Sequence, residues 1–393
     1  VDISSNSDLQ TIESYAFAYS NIEEIFIPSK VTKIDENAFN YCTSLTKVEI
    51  APDSNLQTIG SYAFAKCNNL AKIEIPPDSS LQTIGPFAFA HSKIEEIYFP
   101  ASLKELKEKW CYNMKKLNTI IISPLNNKFI FKDNELLLCK SDENNDEFDI
   151  LLLANRDINE VSIPSNIKII SSCAFSYCTK LTKIEIEPNS NLQIIEENSF
   201  ELSNIERIFI PPKVSKIKKY AFSNCNNLNK VDISSNSDLQ TIESYAFANC
   251  INLMKFEILP NSKLQTIESF AFTNCKNLSK IEIPTNFNLQ TIESFAFSNS
   301  NIKEFFIPSK FSKICTNAFS NCKNLRKVEF APNSDLQLIE SYAFSNSNIN
   351  EIFIPSSVTK ISEGSFSNCT NLRKIEIPIN SDLKIIESYA FSN

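Results

Sequence analysis

The 393-residue chain holds three glycines, one histidine and two methionines. Loops that cradle phosphate need several glycines close together, so nucleotide sites of that kind are excluded. A single histidine removes most metal and acid–base chemistry, since both require an oriented second group. No apolar run approaches the roughly 20 residues of a membrane-spanning helix. Acids outnumber bases by 46 to 38, the net charge is −8 and the pI is near 5.1, so no basic footprint speaks for nucleic acid. Compartment is not legible from targeting signals in these 393 residues.

Repetition is what the chain has in abundance. Val1 to Ala18 recur unchanged as Val231 to Ala248. A phenylalanine, usually after Ala, marks each unit: Phe17, Phe39, Phe64 and Phe89 early in the chain, then Phe175 onward to Phe391. Between Phe89 and Phe175 one degenerate unit places Trp110-Cys111 where Ala-Phe stands elsewhere. Aligning its Leu106, Met114, Leu117, Ile120 and Ile122 with Ile34, Cys42, Leu45, Val48 and Ile50 makes it a repeat.

Two repeat lengths occur. The 25-residue units carry Cys three residues after Phe (Cys42, Cys67, Cys178, Cys225, Cys250, Cys275, Cys322, Cys369), and the 22-residue units carry Ser there (Ser20, Ser92, Ser203, Ser300, Ser347). A unit that changes length yet keeps its apolar positions is a coil with a fixed inner wall, which is how a solenoid behaves. Each unit has one clear strand, such as Lys47-Val48-Glu49-Ile50, whose period of two turns Val48 and Ile50 inward and Lys47 and Glu49 outward. A proline soon after (Pro28, Pro52, Pro76, Pro284, Pro355) ends it. The return path, as in Ser61-Tyr62-Ala63-Phe64, is expected to supply further core residues and a short helical turn. About fifteen stacked turns would extend the sheet to ~70 Å. Val1 falls in mid-strand and Asn393 two residues after a repeat Phe, so a piece of a longer protein is expected, with signals and anchors elsewhere.

Residues 125–158 break the rhythm and read as three short strands, with Asp133-Asn134 at the first turn and an acidic loop from Lys140 to Glu147 at the second. The expected organisation is an array over 1–124 (five repeats, the last degenerate), an inserted β-meander over 125–158, and a second array over 159–393 continuous with the first.

Phe-x-x-Cys-x-x-Leu-x-x-Ile-x-Ile-Pro followed by Ser-x-Val-x-x-Ile, plain at Phe366 to Ile377 and Pro355 to Ile361, resembles the BspA-like leucine-rich-repeat family. The resemblance implies a right-handed leucine-rich-repeat solenoid with one parallel β-sheet on its concave face and short helical turns and extended segments on its convex face. The meander, ending at Val161-Ser162-Ile163-Pro164, matches an insertion such arrays carry. It also implies a surface antigen or adhesin that binds a host or extracellular-matrix protein or another cell. Most units have Ile-Glu where the family has Ile-Gly, which Ile59-Gly60 and Ile84-Gly85 retain; this reads as lineage drift.

Several features invite chemistry and are given a plain reading. The Cys column lacks any close CxxC pair and accepts Ser, so it reads as free, buried, structural thiols. The loop Asp142-Glu143-Asn144-Asn145-Asp146-Glu147 has Glu147 where a calcium loop needs Gly, and reads as a solvated hairpin tip. His91 reads as surface filler, and the sequons at Asn277 and Asn368 as chance. No cofactor, metal or catalytic site is expected.

The outward strand positions carry the functional expectation. Long units place an acid at the exposed centre, as at Glu49, and short units an aromatic: Phe26, Tyr98, Phe209, Phe306 and Phe353. The preceding residue is Lys in long units and mostly acidic in short ones (Glu24, Glu96, Glu304, Glu351), so neighbouring strands should pair Lys with Glu, for example Glu24 beside Lys47 and Lys327 beside Glu351. Aromatic anchors on a charged face have the composition of protein-binding hot spots. The array is expected to be non-catalytic, to bind protein, and to bind neither nucleic acid nor the membrane interior. A cell-surface or secreted location is expected; an intracellular scaffold, suited to many free thiols, is the alternative.

Overall fold

The computed structural model describes residues 3–142, 144, 146–259, 262–283 and 289–393. Val1, Glu143, Asn145 and Pro284 lie outside the described residues. The chain divides into two compact units, one of residues up to Ile158 with Ile170–Lys180, the other of Asn159–Ile169 with Leu181–Asn393.

In the first unit the alternating segments form parallel strands, Glu24–Ile27 beside Lys47–Ile50 beside Lys72–Glu74, with Ile25 opposite Val48 opposite Ile73. Those inward residues are buried, and each large apolar side chain so removed from water contributes about 1.5–3 kcal/mol. Each coil also has a second strand, two residues long, on its return path. Thr11–Ile12, Lys33–Ile34, Thr58–Ile59, Thr83–Ile84 and Glu105–Leu106 make a five-stranded parallel ladder that period-two patterning is too short to reveal. The degenerate repeat is a coil like the others: Thr119–Ile122 pairs in parallel with Glu96–Phe99, and Trp110, Cys111, Met114, Leu117 and Ile120 are buried. The meander is antiparallel, Phe129–Lys132 to Leu136–Cys139 to Ile150–Ala154. Asp133 and Asn134 both take positive φ (54° and 57°), as a tight hairpin turn requires. Arg156 is buried beyond it, its guanidinium donating to the Ala174 and Cys173 carbonyls at 3.0 and 3.3 Å.

The second unit repeats the same construction. Its long strands include Arg207–Ile210, Lys230–Ile233, Lys255–Glu257 and Lys280–Glu282 in one parallel sheet, and a two-residue ladder runs through Thr241–Ile242, Thr266–Ile267 and Thr291–Ile292. Behind them the repeat phenylalanines stack ring on ring, Phe222, Phe247, Phe272 and Phe297 at 5.1–5.3 Å between neighbours.

The segment around each Phe is not the helical turn expected. Among the described residues there is no helix. Ala246 and Ala248 donate to the Glu243 and Tyr245 carbonyls within their own coil, whereas Tyr245, Phe247 and Asn249 donate to Ser269, Ala271 and Thr273 of the next. Backbone N–H groups thus point alternately along the chain and across to the neighbour. The alternation depends on left-handed residues two before and two after Phe, here Tyr245 (φ 61°) and Asn249 (φ 60°), and a left-handed residue ends a right-handed helix.

Candidate protein-binding face

The expected residues fall into two groups. Glu24, Phe26, Lys47, Glu49 and Tyr98 lie on the long strands of the first unit, and Phe209, Glu304, Phe306, Lys327, Glu351 and Phe353 on those of the second. Register brings Glu24 opposite Lys47 and Phe26 opposite Glu49, then Glu304 opposite Lys327 and Phe306 opposite Glu329. Phe209 faces Asp232, Phe353 faces Glu376, and Tyr98 faces Ile121. Phe26, Tyr98, Phe209 and Phe306 are half-buried between their neighbours, while Phe353 is 50% exposed.

The charges join differently from the expected cross-strand pairs. Lys47 reaches Glu49 of its own strand at 2.7 Å and Glu74 of the following strand at 3.2 Å. Lys255 repeats this with Glu257 at 3.1 Å and Glu282 at 2.7 Å, and Lys280 adds a bond of 2.6 Å to Glu282. Lys327 bonds Glu329, and Glu304 and Glu351 act on it through space. Residues two apart on a strand point to one side about 6.6 Å apart, a span that a lysine stem closes without leaving its strand. Lys255 and Lys280 together hold the Glu282 carboxyl down at about 2, and Glu282 and then Glu257 raise Lys255. The face is therefore a lattice of neutralised pairs interrupted by rings. Exposed pairs of this kind add about 0–1 kcal/mol each, so their consequence is surface order more than stability.

Behind the strands all twelve cysteines are buried and carry no disulfide. In the repeat column the thiol donates to the Phe carbonyl of a neighbouring coil, as Cys225 to Phe200 (3.0 Å), Cys275 to Phe247 (3.2 Å) and Cys369 to Phe344 (3.2 Å). The serines that replace cysteine sit against this column, Ser203 Oγ 3.4 Å from Cys225 Sγ and Ser300 Oγ 3.3 Å from Cys322 Sγ. Burial pushes Cys225 and Cys275 up to about 12. A thiol held so far from its thiolate is a poor nucleophile and a poor metal ligand.

The glutamate that follows the second-strand isoleucine has a structural task. Glu268 Oε2 accepts from both the backbone N–H and the hydroxyl of Ser244 at 2.9 Å, tying the start of one Phe turn to the next coil. Glu293 does the same at Ser269, and Glu340 at Thr316. Gly60 and Gly85 stand where coils approach too closely for any side chain: a Cβ on Gly85 would lie 2.7 Å from the Gly60 carbonyl carbon.

BspA-type leucine-rich-repeat models match residues 3–136, 152–262, 240–372 and 290–393. The chain belongs to this family. No curated protein matches it in sequence. Solved structures with the same fold include a leucine-rich repeat protein of Eubacterium ventriosum (24% identity, 85% of each chain, TM-score 0.61). A leucine-rich cell surface protein of Faecalibacterium prausnitzii matches at 24% identity over 95% of this chain and 91% of its own (TM-score 0.53). A leucine-rich repeat protein of Bacteroides ovatus matches at 20% identity over 96% and 78% (TM-score 0.51). Leucine-rich repeats generally bind protein partners and are typically non-catalytic scaffolds. No helix among the described residues is long and apolar enough to cross a membrane.

The BspA-type turn segment holds residues that strand patterning passed over. Tyr62, expected in the core, is 39% exposed and stacks on Phe87. In the second unit Tyr220, Tyr245, Phe270 and Phe295 form one continuous stack. Across from them Asn274 donates to Asn249 at 2.9 Å and Asn249 to Asn224 at 3.1 Å. The sequence marks both ladders, an aromatic two before and an asparagine two after each Phe, but without positive φ that spacing reads as more core. His91, expected as surface filler, is instead part-buried at this second position, 2.6 Å from the Asn113 amide and edge-on to Tyr112. Burial lowers its pKa, aided by Lys66 and Lys115.

Proposed function

We propose that this chain is the ligand-binding array of a cell-surface antigen or adhesin, and that the long-strand face grips a host protein, a matrix protein or another cell. The observation that carries this reading is the placement of Phe209, Phe306 and Phe353 at outward strand positions, each flanked by charged residues of its own or a neighbouring strand. Aromatic anchors partly seated among charges desolvate at small entropic cost, because the surrounding lysines and glutamates are already held in pairs. The cell surface description of the Faecalibacterium neighbour supports the location. The twelve buried thiols favour a second reading, an intracellular scaffold with the same fold.

The test is surface plasmon resonance of the chain and of a Phe209→Ala/Phe306→Ala/Phe353→Ala variant over immobilised matrix proteins and intact host cells. Loss of the three rings weakens binding at least about thirtyfold with an unchanged far-UV spectrum. Equal affinity of the two proteins removes the strand face from the proposal. Staining of the full-length protein confined to the cytosol overturns the surface location in favour of the scaffold.

A further inference from the structure

The turn side of the second unit carries an open groove of about 580 Å³ lined by residues of six coils, from Glu201 to Asn321, within the size range of small-molecule sites. One wall is the aromatic stack Tyr220, Tyr245, Phe270 and Phe295, and the other the amide ladder Asn224, Asn249, Asn274 and Asn299. Small side chains make the floor, among them Ser223, Ala248, Thr273 and Ser298, all buried. The groove is independent of the long-strand face.

The aromatic wall is costly and repeated. Each of its four rings sits on a residue with φ between 57° and 62°, where a bulky side chain is a genuine outlier. The coil does not need aromatics there: Asn37, Asn198, Asn317 and Gly364 occupy the same position with the same backbone. Strain that recurs where a cheaper residue suffices points from geometry to function. The rings overlap like shingles. Their centroids are 4.7–4.8 Å apart, with the three-membered run Tyr245, Phe270 and Phe295 parallel to within 3–4°. At the ~3.5 Å separation of carbons in contact, parallel rings 4.7 Å apart must slip by about 3 Å, which leaves part of each face uncovered. The amide wall has matching capacity. A side-chain amide offers two N–H donors and two oxygen lone pairs. In the ladder Asn249 gives one N–H to Asn224 and takes one from Asn274, so one donor and one acceptor are not used by the ladder.

The ligand class follows from what the walls offer and what they lack. Among the described lining residues Glu201 is the one acid, and there is no lysine or arginine, so a polyanion finds no counter-charge. An extended peptide rises about 3.3 Å per residue with side chains alternating between faces, out of step with a 4.7–4.8 Å ladder. A chain of pyranose rings presents an apolar C–H face to the shingled rings and a rim of hydroxyls, each both donor and acceptor, to the amides. We propose that this groove binds a neutral, linear glycan lying along the coil axis.

The experiment is isothermal titration calorimetry, with saturation-transfer NMR, of the intact chain against hexamers and dimers of β-1,4-linked glucose, β-1,4-linked N-acetylglucosamine and α-1,4-linked glucose. At least one hexamer is expected to bind saturably, and at least about tenfold tighter than its dimer because several coils engage. Tyr245→Asn/Phe270→Asn places at both sites a residue that the coil already accepts there, so the array stays folded by thermal melt while hexamer affinity falls at least about tenfold. The Phe209→Ala/Phe306→Ala/Phe353→Ala variant keeps its glycan affinity, which separates this groove from the strand face. No saturable binding of any hexamer at millimolar concentration overturns the proposal. So does unchanged affinity in the Asn variant, or binding of poly-glutamate or an extended peptide in place of the hexamers.

Discussion

Replacing Glu268 by Ala removes the two hydrogen bonds that its carboxylate accepts from Ser244, both at 2.9 Å. A hydrogen bond to an ionised group contributes about 1.5–3 kcal/mol when buried. Glu268 is half-buried and water reaches the site, so each bond falls below that range at about 1 kcal/mol and the pair together is worth about 2 kcal/mol. For a cooperative unit of 150–250 residues each kcal/mol moves the melting point by about 2–4 °C, which gives a fall of about 4–8 °C. Glu268→Gln keeps a neutral acceptor and should lose about half of this. The control is Glu257→Ala, which breaks only the strand-face pair with Lys255 and should cost less than about 1 kcal/mol. Differential scanning calorimetry reads the melting points, and hydrogen exchange reads the Ser244 amide, which should lose protection in Glu268→Ala alone. If Glu268→Ala melts with Glu257→Ala and the Ser244 amide stays protected, the glutamate ties nothing and its reading as a coil clamp is wrong.

Two further outcomes follow from the ionisable groups. Because Lys255 and Lys280 depress Glu282 from 4.5 to about 2, its contribution is complete above about pH 4.5 and is lost as pH falls toward 2. Solvent screening keeps that contribution under about 1 kcal/mol, and Glu282→Gln should flatten this part of the acid limb of the melting curve; an unchanged limb refutes the assignment. The thiols give the second outcome. With burial pushing Cys225 and Cys275 up to about 12, a disulfide reagent at pH 8 should leave these two unmodified in the native protein and modify all twelve cysteines in guanidinium. Rapid native labelling of the repeat column would show that the coils open.

The parts legible in the sequence are those governed by neighbours along the chain. Alternation at Lys47-Val48-Glu49-Ile50 gives the strand and its buried face, and the meander appears at Phe129–Lys132, Leu136–Cys139 and Ile150–Ala154, within a residue or two of its expected strands. The parts that escaped are settled by a partner one coil away. Glu268 acts on Ser244, 24 positions earlier, and nothing within its own repeat distinguishes a clamp from a solvated acid. Lys47 had equal claims on Glu24, Glu49 and Glu74, all outward on the same face, and side-chain reach chose the last two. Tyr62 lies in a return segment expected to supply core residues, yet it and its equivalent Tyr245 stack on the rings of the next coil. Their left-handed backbone turns them to the surface, and that conformation is the one a propensity argument rates least for a bulky residue.

That conformation also explains why the groove exists only on an array. A left-handed residue costs about 1–2 kcal/mol, and each coil holds two around its Phe. The compensation comes from the next coil: Tyr245 donates to Ser269 at 3.2 Å and Asn249 to Thr273 at 2.9 Å, each bond worth about 0.5–1.5 kcal/mol net. Stacking of Tyr245 on Phe270 adds about 0.5–1.5 kcal/mol. A single coil would carry the strain without the bonds, so the turn holds its shape only between neighbours, and its stability is a property of the interface between repeats. Because the backbone bonds fix the turn whatever the side chain, Asn, Lys, Cys and Gly all occur where Tyr and Phe stand elsewhere. Side chains at these positions are therefore free to vary with the ligand, and the run of four aromatics over Tyr220 to Phe295 records a choice that the fold did not impose.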